Sequence, residues 1–89
     1  MYYFYILRCR DNSLYCGQSN DLNKRIKEHN SSKVRSAKYT KIRRPVRLVY
    51  FEELPTLQLV MKREWQVKKW SKAKKEALIA GNMELSDKA

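Results

Sequence analysis

Five side chains in this chain of 89 residues are of the types that cleave a phosphodiester bond with the help of a metal ion. They are two tyrosines, an arginine, a histidine and a glutamate: Tyr5, Tyr15, Arg25, His29 and Glu64. A glutamate can hold a cation that acts as a Lewis acid, an arginine can neutralise charge on the phosphate, and phenol or imidazole groups can move protons. Together they indicate metal-assisted hydrolysis of a phosphodiester.

Glu64 is the most informative of the five because it interrupts the apolar side of a predicted helix. Apolar residues fall within about 80° of one direction on a helical wheel at 100° per residue: Leu57, Val60, Met61, Trp65 and Val67. Glu64 falls at about −20° from Leu57, where a carboxylate is costly unless it is paired or binds a cation. Two interpretations stay open: an ion pair with Lys68, one turn further on, or a ligand for a hard cation such as Mg²⁺.

The other four residues also have ordinary interpretations. Arg25 and His29 are one helical turn apart and could form a solvated cationic face. Tyr5 and Tyr15 could be aromatic core residues of two strands. The functional interpretation therefore depends on the combination of all five residues.

The pattern of apolar and polar residues predicts the strands that carry Tyr5 and Tyr15 and the helix that carries Arg25 and His29. Residues 2–9 are rich in aromatic and branched side chains, and the turn RDNS separates them from LYCG, which predicts a β-hairpin. Ser19 or Asn20 is expected to cap a helix of about three turns through DLNKRIKEHN. The hairpin then carries both tyrosines, and the helix carries Arg25 and His29.

The second half of the chain predicts one strand and two helices around Glu64. VRLVYFEE alternates like a strand, a helix opens at Pro55 and runs through Trp70, and a shorter helix ends at Gly81. Residues 30–45 contain no acidic residue and follow neither period, so we expect a mostly irregular, solvated basic loop. The order β-β-α-β-α-α, with an antiparallel opening pair, predicts an α+β fold.

Composition indicates one folded domain with a polyanionic partner. Residues 1–82 suffice for one modest core, and residues 83–89 are expected to be a frayed tail. The 20 Lys and Arg against 9 Asp and Glu give a net charge of +11, which favours nucleic acid; a ribosome-associated or membrane-surface protein is the alternative. The longest apolar run, MYYFYIL, is too short to span a bilayer, so we expect a cytoplasmic protein that does not use a membrane.

Two basic blocks, residues 33–47 and 62–75, are expected to contact phosphates without reading sequence. Each block holds seven lysines or arginines. The candidate nucleic-acid contacts are Lys33, Arg35, Lys38, Tyr39, Lys41, Arg43, Arg44, Lys68 and Lys69. Tyr39 could stack on a base of distorted or single-stranded DNA, with an ordinary surface tyrosine as the alternative.

The order of these motifs resembles the GIY-YIG nuclease superfamily. The shared features are YFYIL, ten residues from Tyr5 to Tyr15, YCG, then SNDLNKRIKEH and a later helix with Glu64. From Tyr2 to about Ile79 the chain is most similar to small stand-alone bacterial members, including RRPVRLVY and KKWSKAKKEALI.

The resemblance implies a role for each of the five residues. Tyr5 and Tyr15 match the tyrosines of the two named motifs, Arg25 the helical arginine, His29 the His or Tyr one turn later, and Glu64 the metal-binding glutamate. It also implies a three-stranded antiparallel sheet flanked by helices, one Mg²⁺ or Mn²⁺ ion, and hydrolysis of a DNA phosphodiester. In that mechanism Tyr15 or His29 activates a water and Tyr5 orients it or shares its proton, and a phenol needs positive surroundings for this.

The chain departs from the family pattern at three positions. Tyr3 stands where the first motif has glycine, Cys16 is the middle residue of the second, and only Asn82 lies near the asparagine that several members carry. Members commonly use a second module to choose DNA, so this domain is expected to act on branched or single-stranded DNA in repair or recombination, or to depend on a partner protein. The rival interpretation is a non-catalytic nucleic-acid-binding or protein-adaptor module on the same fold.

Overall fold

The computed structural model describes residues 1–31 and 38–81, and these ranges contain three strands and four helices. The strands are β1 (Tyr2–Arg8), β2 (Leu14–Ser19) and β3 (Arg47–Leu54). The helices are α1 (Leu22–His29), α2 (Lys38–Lys41), α3 (Leu57–Lys68) and α4 (Lys72–Ile79). The predicted α+β fold and its order are confirmed, with α2 as an additional short helix between α1 and β3.

Strand β1 is the centre of the antiparallel sheet, whose strand order is β2-β1-β3. Tyr5 lies opposite Gly17 on β2 and Phe51 on β3, and the pairing with β3 shifts register between Ile6 and Leu7. Four consecutive β1 residues, from Phe4 to Leu7, are buried, because both faces of this strand are covered. The three-stranded antiparallel sheet that the resemblance implied is confirmed.

Alternation along β1 sends its side chains into two separate clusters. The apolar face of the sheet carries Phe4, Ile6 and Cys16, which pack against Val60, Val67 and Leu78 of α3 and α4. The site face carries Tyr5 and Leu7, against which Tyr15, Leu22 and Ile26 pack. Side chains of one strand thus contribute to both clusters.

Polar caps define where the longer helices begin. The Asp21 side chain accepts a hydrogen bond from the backbone N–H of Lys24 at the start of α1, so the predicted cap at Ser19 or Asn20 is wrong by one or two residues. Thr56 and Ser71 cap α3 and α4 in the same way. No helix within residues 1–31 and 38–81 is long and apolar enough to cross a membrane.

The described part of the connection between α1 and β3 is more ordered than predicted. Its second half forms α2, and Thr40 on that helix is fully buried, so the prediction of a mostly irregular, solvated loop is wrong there. At its base the Asn30 amide pairs with Val46 like a peptide group: Nδ2 donates to the carbonyl at 3.0 Å, and Oδ1 accepts from the N–H at 2.7 Å. Residues 32–37, with Lys33 and Arg35, and the tail from residue 82 lie outside the described residues.

The apolar stripe predicted for α3 is wrong for three of its five members. Val60 and Val67 are fully buried, as predicted. The exposed members are Leu57, Met61 and Trp65, at 40%, 51% and 64%. The helix packs mainly on β1 and β2, and such a narrow surface covers only a narrow strip of a helix. Glu64 lies at the margin of that strip and is half-buried.

Candidate active site

A buried chain of hydrogen bonds runs from Tyr5 through His29 to Thr40. Tyr5 Oη lies 2.8 Å from His29 Nε2, and His29 Nδ1 lies 2.8 Å from Thr40 Oγ1. Tyr5 is 1% exposed, and the other two residues are 0% exposed. Strand β1, the last turn of α1 and helix α2 each supply one member, so three elements fix the geometry of the only histidine in the sequence.

Tyr15 on β2 completes an aromatic cluster around His29. The ring centroids of Tyr15 and Tyr5 lie 5.2 and 5.9 Å from that of His29. Tyr15 also stacks with Tyr39: their ring centroids lie 6.0 Å apart, and the angle between the ring planes is 27°. Tyr15 is only half-buried, so it is the more accessible of the two phenols.

Gly17 makes room for the Tyr5 ring. A Cβ atom at position 17 would lie 2.5 Å from Tyr5 Oη and 2.6 Å from its Cζ. Because Tyr5 is buried and hydrogen-bonded to His29, its ring has little freedom to move away. The glycine of YCG therefore serves the placement of the phenol on the neighbouring strand.

Arg25 on α1 brings a partly buried positive charge to the phenols. Its Nη1 forms an ion pair with Glu28 at 3.0 Å, and its interaction with the Tyr5 hydroxyl lowers the pKa of Tyr5. The Arg25 charge also acts on Tyr15 and His29, and in both cases it lowers the pKa. A cation therefore lies beside each of the three groups that could move a proton.

Glu64 on α3 is close enough for its charge to act on both phenols. It raises the pKa of Tyr5 and of Tyr15, as a nearby negative charge should. Burial raises the pKa of Glu64 itself, and the attraction of Lys68 only partly opposes this effect. Among residues 1–31 and 38–81, no ion pair involves Glu64, so the predicted alternative of a pair with Lys68 is not formed.

The fit of Glu64 to a metal ion depends on its acting as a lone carboxylate. The described ranges contain no group of three or more His, Cys, Asp and Glu side chains that could hold an ion. Mg²⁺ is commonly held by one or two carboxylates, with water and substrate phosphate completing its shell. A half-buried glutamate that forms no ion pair with the cations of residues 1–31 and 38–81 fits that mode, and it does not fit an all-protein zinc or calcium cage.

The proton-carrying groups of the site are all neutral near pH 7. Burial first, and the Arg25 charge second, lower the pKa of His29 to about 4. Burial is also the largest influence on Tyr5 and Tyr15 and raises both pKa values, whereas Arg25 lowers them by less. Positive surroundings are present as expected, but burial outweighs them.

The predicted nucleic-acid contacts are distributed over two helices and the segments that follow them. The exposed lysines are Lys38, Lys41, Lys68 and Lys69. Arg44 is half-buried. Arg43 binds Asp11 at 3.1 Å and the Tyr39 carbonyl at 3.0 Å, and its guanidinium lies 4.0 Å from the centroid of the Tyr39 ring. The Tyr39 ring is thus packed between protein groups, which leaves less of it for the base stacking predicted from sequence.

Two residues that the sequence did not single out belong to this region. Thr40 binds His29, but it lies in a short basic stretch without periodicity, so no sequence signal pointed to it. Trp65 directly follows Glu64 and is the most exposed aromatic side chain of the described residues, with Lys69 Nζ 3.3 Å from its ring centroid. Its exposure was missed because the helical wheel placed it on the buried side.

Comparison with known protein sequences identifies close relatives of the whole domain. The GIY-YIG catalytic domain matches residues 1–77. A UPF0213 protein of Syntrophus aciditrophicus is 52% identical over 82 residues, which cover 92% of this chain and 93% of the relative. The UPF0213 protein YazA of Bacillus subtilis is 47% identical over 78 residues, which cover 88% of this chain and 77% of the relative.

Solved structures give the same result. The solution NMR structure of the UPF0213 protein BH0048 from Bacillus halodurans is 44% identical, with a TM-score of 0.57, and the match covers 90% of this chain and 84% of that chain. The solution NMR structure of EF2693 from E. faecalis is 32% identical, with a TM-score of 0.60, and the match covers 92% and 86%. GIY-YIG nucleases generally use a divalent metal ion, and the domain suggests a DNA substrate. The resemblance inferred from the motifs is confirmed, and the chain belongs to the GIY-YIG nuclease family.

Proposed function

We propose that the chain is a divalent-metal-dependent endonuclease that hydrolyses DNA phosphodiester bonds. The observation that carries this proposal is that two opposite charges, Arg25 and Glu64, both act on Tyr5, which is hydrogen-bonded to His29. A repair or recombination role in the cytoplasm is part of the proposal, and two buried free thiols, Cys9 and Cys16, suit a reducing compartment.

Each residue of the site has a distinct task in this mechanism. Glu64 would hold a Mg²⁺ or Mn²⁺ ion, and that ion would supply a Lewis acid for the phosphoryl or leaving oxygen. Arg25 binds the phosphate and stabilises the charge that develops on it. Because both ring nitrogens of His29 are engaged and the ring is buried, the contact with the attacking water falls to Tyr15. Tyr5 shares a proton with His29 through their hydrogen bond.

The test is cleavage of a panel of branched, flapped, single-stranded and duplex DNA with Mg²⁺ or Mn²⁺. Glu64→Gln removes the charge with little change of shape, and we expect cleavage to fall about 100-fold or more. Glu53→Gln is the matched control, because Glu53 is an exposed carboxylate on β3 and should leave cleavage unchanged. No cutting of any substrate by the wild type, or equal cutting by Glu64→Gln, contradicts the proposal. Salt-sensitive binding without cutting would favour the non-catalytic module instead.

The proposed substrate is branched or single-stranded DNA. Support comes from Trp65, which is 64% exposed next to Glu64 and has Lys69 beside its ring, a combination suited to stacking on an unpaired base. Loss of one stacking contact costs about 1–3 kcal/mol, so Trp65→Ala should weaken binding to single-stranded DNA by about 5- to 150-fold.

The matched control for Trp65 is Leu59→Ala, which removes another exposed apolar side chain from the same helix. Fluorescence anisotropy with single-stranded and duplex oligonucleotides should show a loss for Trp65→Ala on the single strand alone. An equal loss on both forms of DNA, or a similar loss for Leu59→Ala, contradicts this substrate preference.

A further inference from the structure

Tyr15 differs from Tyr5 in what holds its ring. The Tyr5 hydroxyl is hydrogen-bonded to His29, so the polar end of that ring is fixed. Within residues 1–31 and 38–81, the Tyr15 hydroxyl forms no hydrogen bond, and the residue is only half-buried. The orientation of Tyr15 therefore depends on the groups that contact its ring.

Tyr39 of helix α2 is the residue that stacks on the Tyr15 ring. The two centroids lie 6.0 Å apart at an angle of 27°, within the range of favourable offset stacking. Tyr39 is itself 38% exposed, so burial alone does not fix the direction of its ring. Tyr39 can orient Tyr15 only if other groups hold Tyr39 in place.

Arg43 contacts Tyr39 at both its ring and its backbone. The guanidinium lies 4.0 Å from the centroid of the Tyr39 ring, a distance at which a cation attracts an aromatic face. Arg43 Nη1 also donates to the Tyr39 carbonyl at 3.0 Å. One planar side chain thus holds the ring and the backbone of the same residue.

The Arg43 side chain is tied in turn to the hairpin turn that precedes Tyr15. Arg43 Nε donates to Asp11 Oδ2 at 3.1 Å, and Asp11 Oδ1 accepts from the Ser13 backbone N–H at 3.0 Å. An exposed ion pair alone contributes little, but the Arg10 N–H also donates to the Arg43 carbonyl at 3.0 Å. The segment that follows α2 is therefore fixed to the hairpin that carries Tyr15.

We propose that Tyr39 and Arg43 are positioning residues that hold the Tyr15 ring in the orientation that cleavage requires. The effect on cleavage rests on the proposed function, in which Tyr15 contacts the attacking water, whereas the ring contacts do not. Arg43 then has a task other than the phosphate contact predicted from sequence, because its guanidinium is already engaged by Asp11 and Tyr39.

The first experiment follows the two rings and needs no substrate. NMR of protein with labelled tyrosine rings should show an NOE between Tyr15 and Tyr39, and a phenylalanine at either position identifies its signals among the six tyrosines. Arg43→Ala leaves both rings intact, and we expect this NOE to disappear and the Tyr15 ring signals to shift. Ile42→Ala is the matched control, because Ile42 is 71% exposed beside Arg43 and should leave both signals unchanged.

Cleavage kinetics then separate positioning from DNA binding. Because a small misplacement of a reacting group can slow the chemical step 100-fold, Arg43→Ala should lower kcat about 10- to 100-fold with little change of KM. Tyr39→Phe keeps the ring and should retain kcat, whereas Tyr39→Leu should lower it as Arg43→Ala does. Loss of a phosphate contact would instead raise KM and reduce the salt dependence of binding.

The results distinguish a positioning role from the alternatives. If Arg43→Ala keeps the NOE, or raises KM at an unchanged kcat, the proposal is wrong. It is also wrong if Tyr39→Phe loses as much kcat as Tyr39→Leu. If Arg43→Ala does not fold, Asp11→Asn takes its place in both measurements, since it removes the charge that holds the guanidinium. If the wild type cuts no DNA, the proposed function fails, while the NOE still decides whether Arg43 holds the stacked rings.

Discussion

Alternate residues of strand β1 lie on two faces of the sheet, and the two faces differ in what their buried side chains contact. On the apolar face, Phe4 and Ile6 pack among aliphatic side chains of α3 and α4. On the site face, Tyr5 is equally buried but is hydrogen-bonded to a histidine whose other nitrogen is also engaged. Burial gives stability on the first face and, on the second, keeps His29 neutral and its hydrogen bonds strong.

The site face can be buried only because its polar atoms are satisfied. In the described parts of the chain, no buried side-chain nitrogen or oxygen lacks a hydrogen-bond partner. A half-satisfied network would be worse than an apolar core. Substitutions at neighbouring residues of β1 should therefore have different effects. On the apolar face they should mainly lower the free energy of unfolding, and on the site face they should mainly lower cleavage.

The largest effect is expected on the apolar face. Phe4→Ala removes a fully buried ring and should lower the free energy of unfolding by about 3–5 kcal/mol. Urea unfolding followed by tryptophan fluorescence measures this loss. A loss no larger than that of a surface substitution would show that the apolar face is not the stabilising layer.

Acid should destabilise the site face through His29. Its pKa is about 4 in the folded chain against an ordinary value of 6.5, so between these pH values the unfolded chain binds a proton that the folded chain does not. Stability therefore falls as the pH falls through this window, by about 3 kcal/mol in total. Urea unfolding from pH 7 to pH 4 measures the slope, and His29→Gln should remove the contribution of this residue. An identical slope in both proteins would contradict the buried neutral imidazole.

Tyr5→Phe should separate chemistry from stability. Removal of the hydroxyl breaks the contact with His29, and cleavage should fall about 100-fold if the hydroxyl takes part in proton transfer. The free energy of unfolding should fall by only about 1–3 kcal/mol, for one unsatisfied buried group. Tyr50→Phe is the matched control, because the Tyr50 hydroxyl donates to Glu52 and its ring packs with Phe4 on the apolar face. Equal losses of cleavage in both variants would contradict the division of labour.

The smallest effect is expected at Gly17. Gly17→Ala crowds the Tyr5 ring and should lower the free energy of unfolding by about 1–3 kcal/mol. In a double-mutant cycle with Tyr5→Ala, the alanine at position 17 should cost less, because the ring it crowds is gone. Additive losses would show that the contact between the two strands is not what requires glycine.

Sequence patterns were sufficient for the fold and for the proximity of the aromatic residues and Arg25. Strand alternation and the hairpin set Tyr5 and Tyr15 on one face, and a single helical turn sets Arg25 and His29 beside them. The misplaced Glu64 was also visible, although the stripe around it was wrong. A helical wheel describes the helix alone, and the width of the surface that it meets decides how many apolar side chains are covered.

Other parts of the site depended on contacts that no local pattern reveals. Thr40 is buried because α2 folds back on the end of α1, a contact across 11 residues in a stretch without periodicity. The sequence also could not predict that burial raises the pKa of Tyr5 by more than Arg25 lowers it. The motif order places a cation near the phenol, but it does not show how far water is excluded from the site. The sequence predicted which residues form the site, but not how deeply the fold buries each of them.

The peptide-like pairing of Asn30 with Val46 has a consequence for how this domain can diverge. It closes the base of the α1-to-β3 connection with two hydrogen bonds, independently of what lies between. We therefore expect that the chain can be lengthened between Ser31 and Lys38 with little disturbance of α1 or β3. The pairing of Asn30 with Val46 therefore makes this connection a suitable site for insertions, and an inserted segment could bind a new partner without disturbing the elements that carry the site.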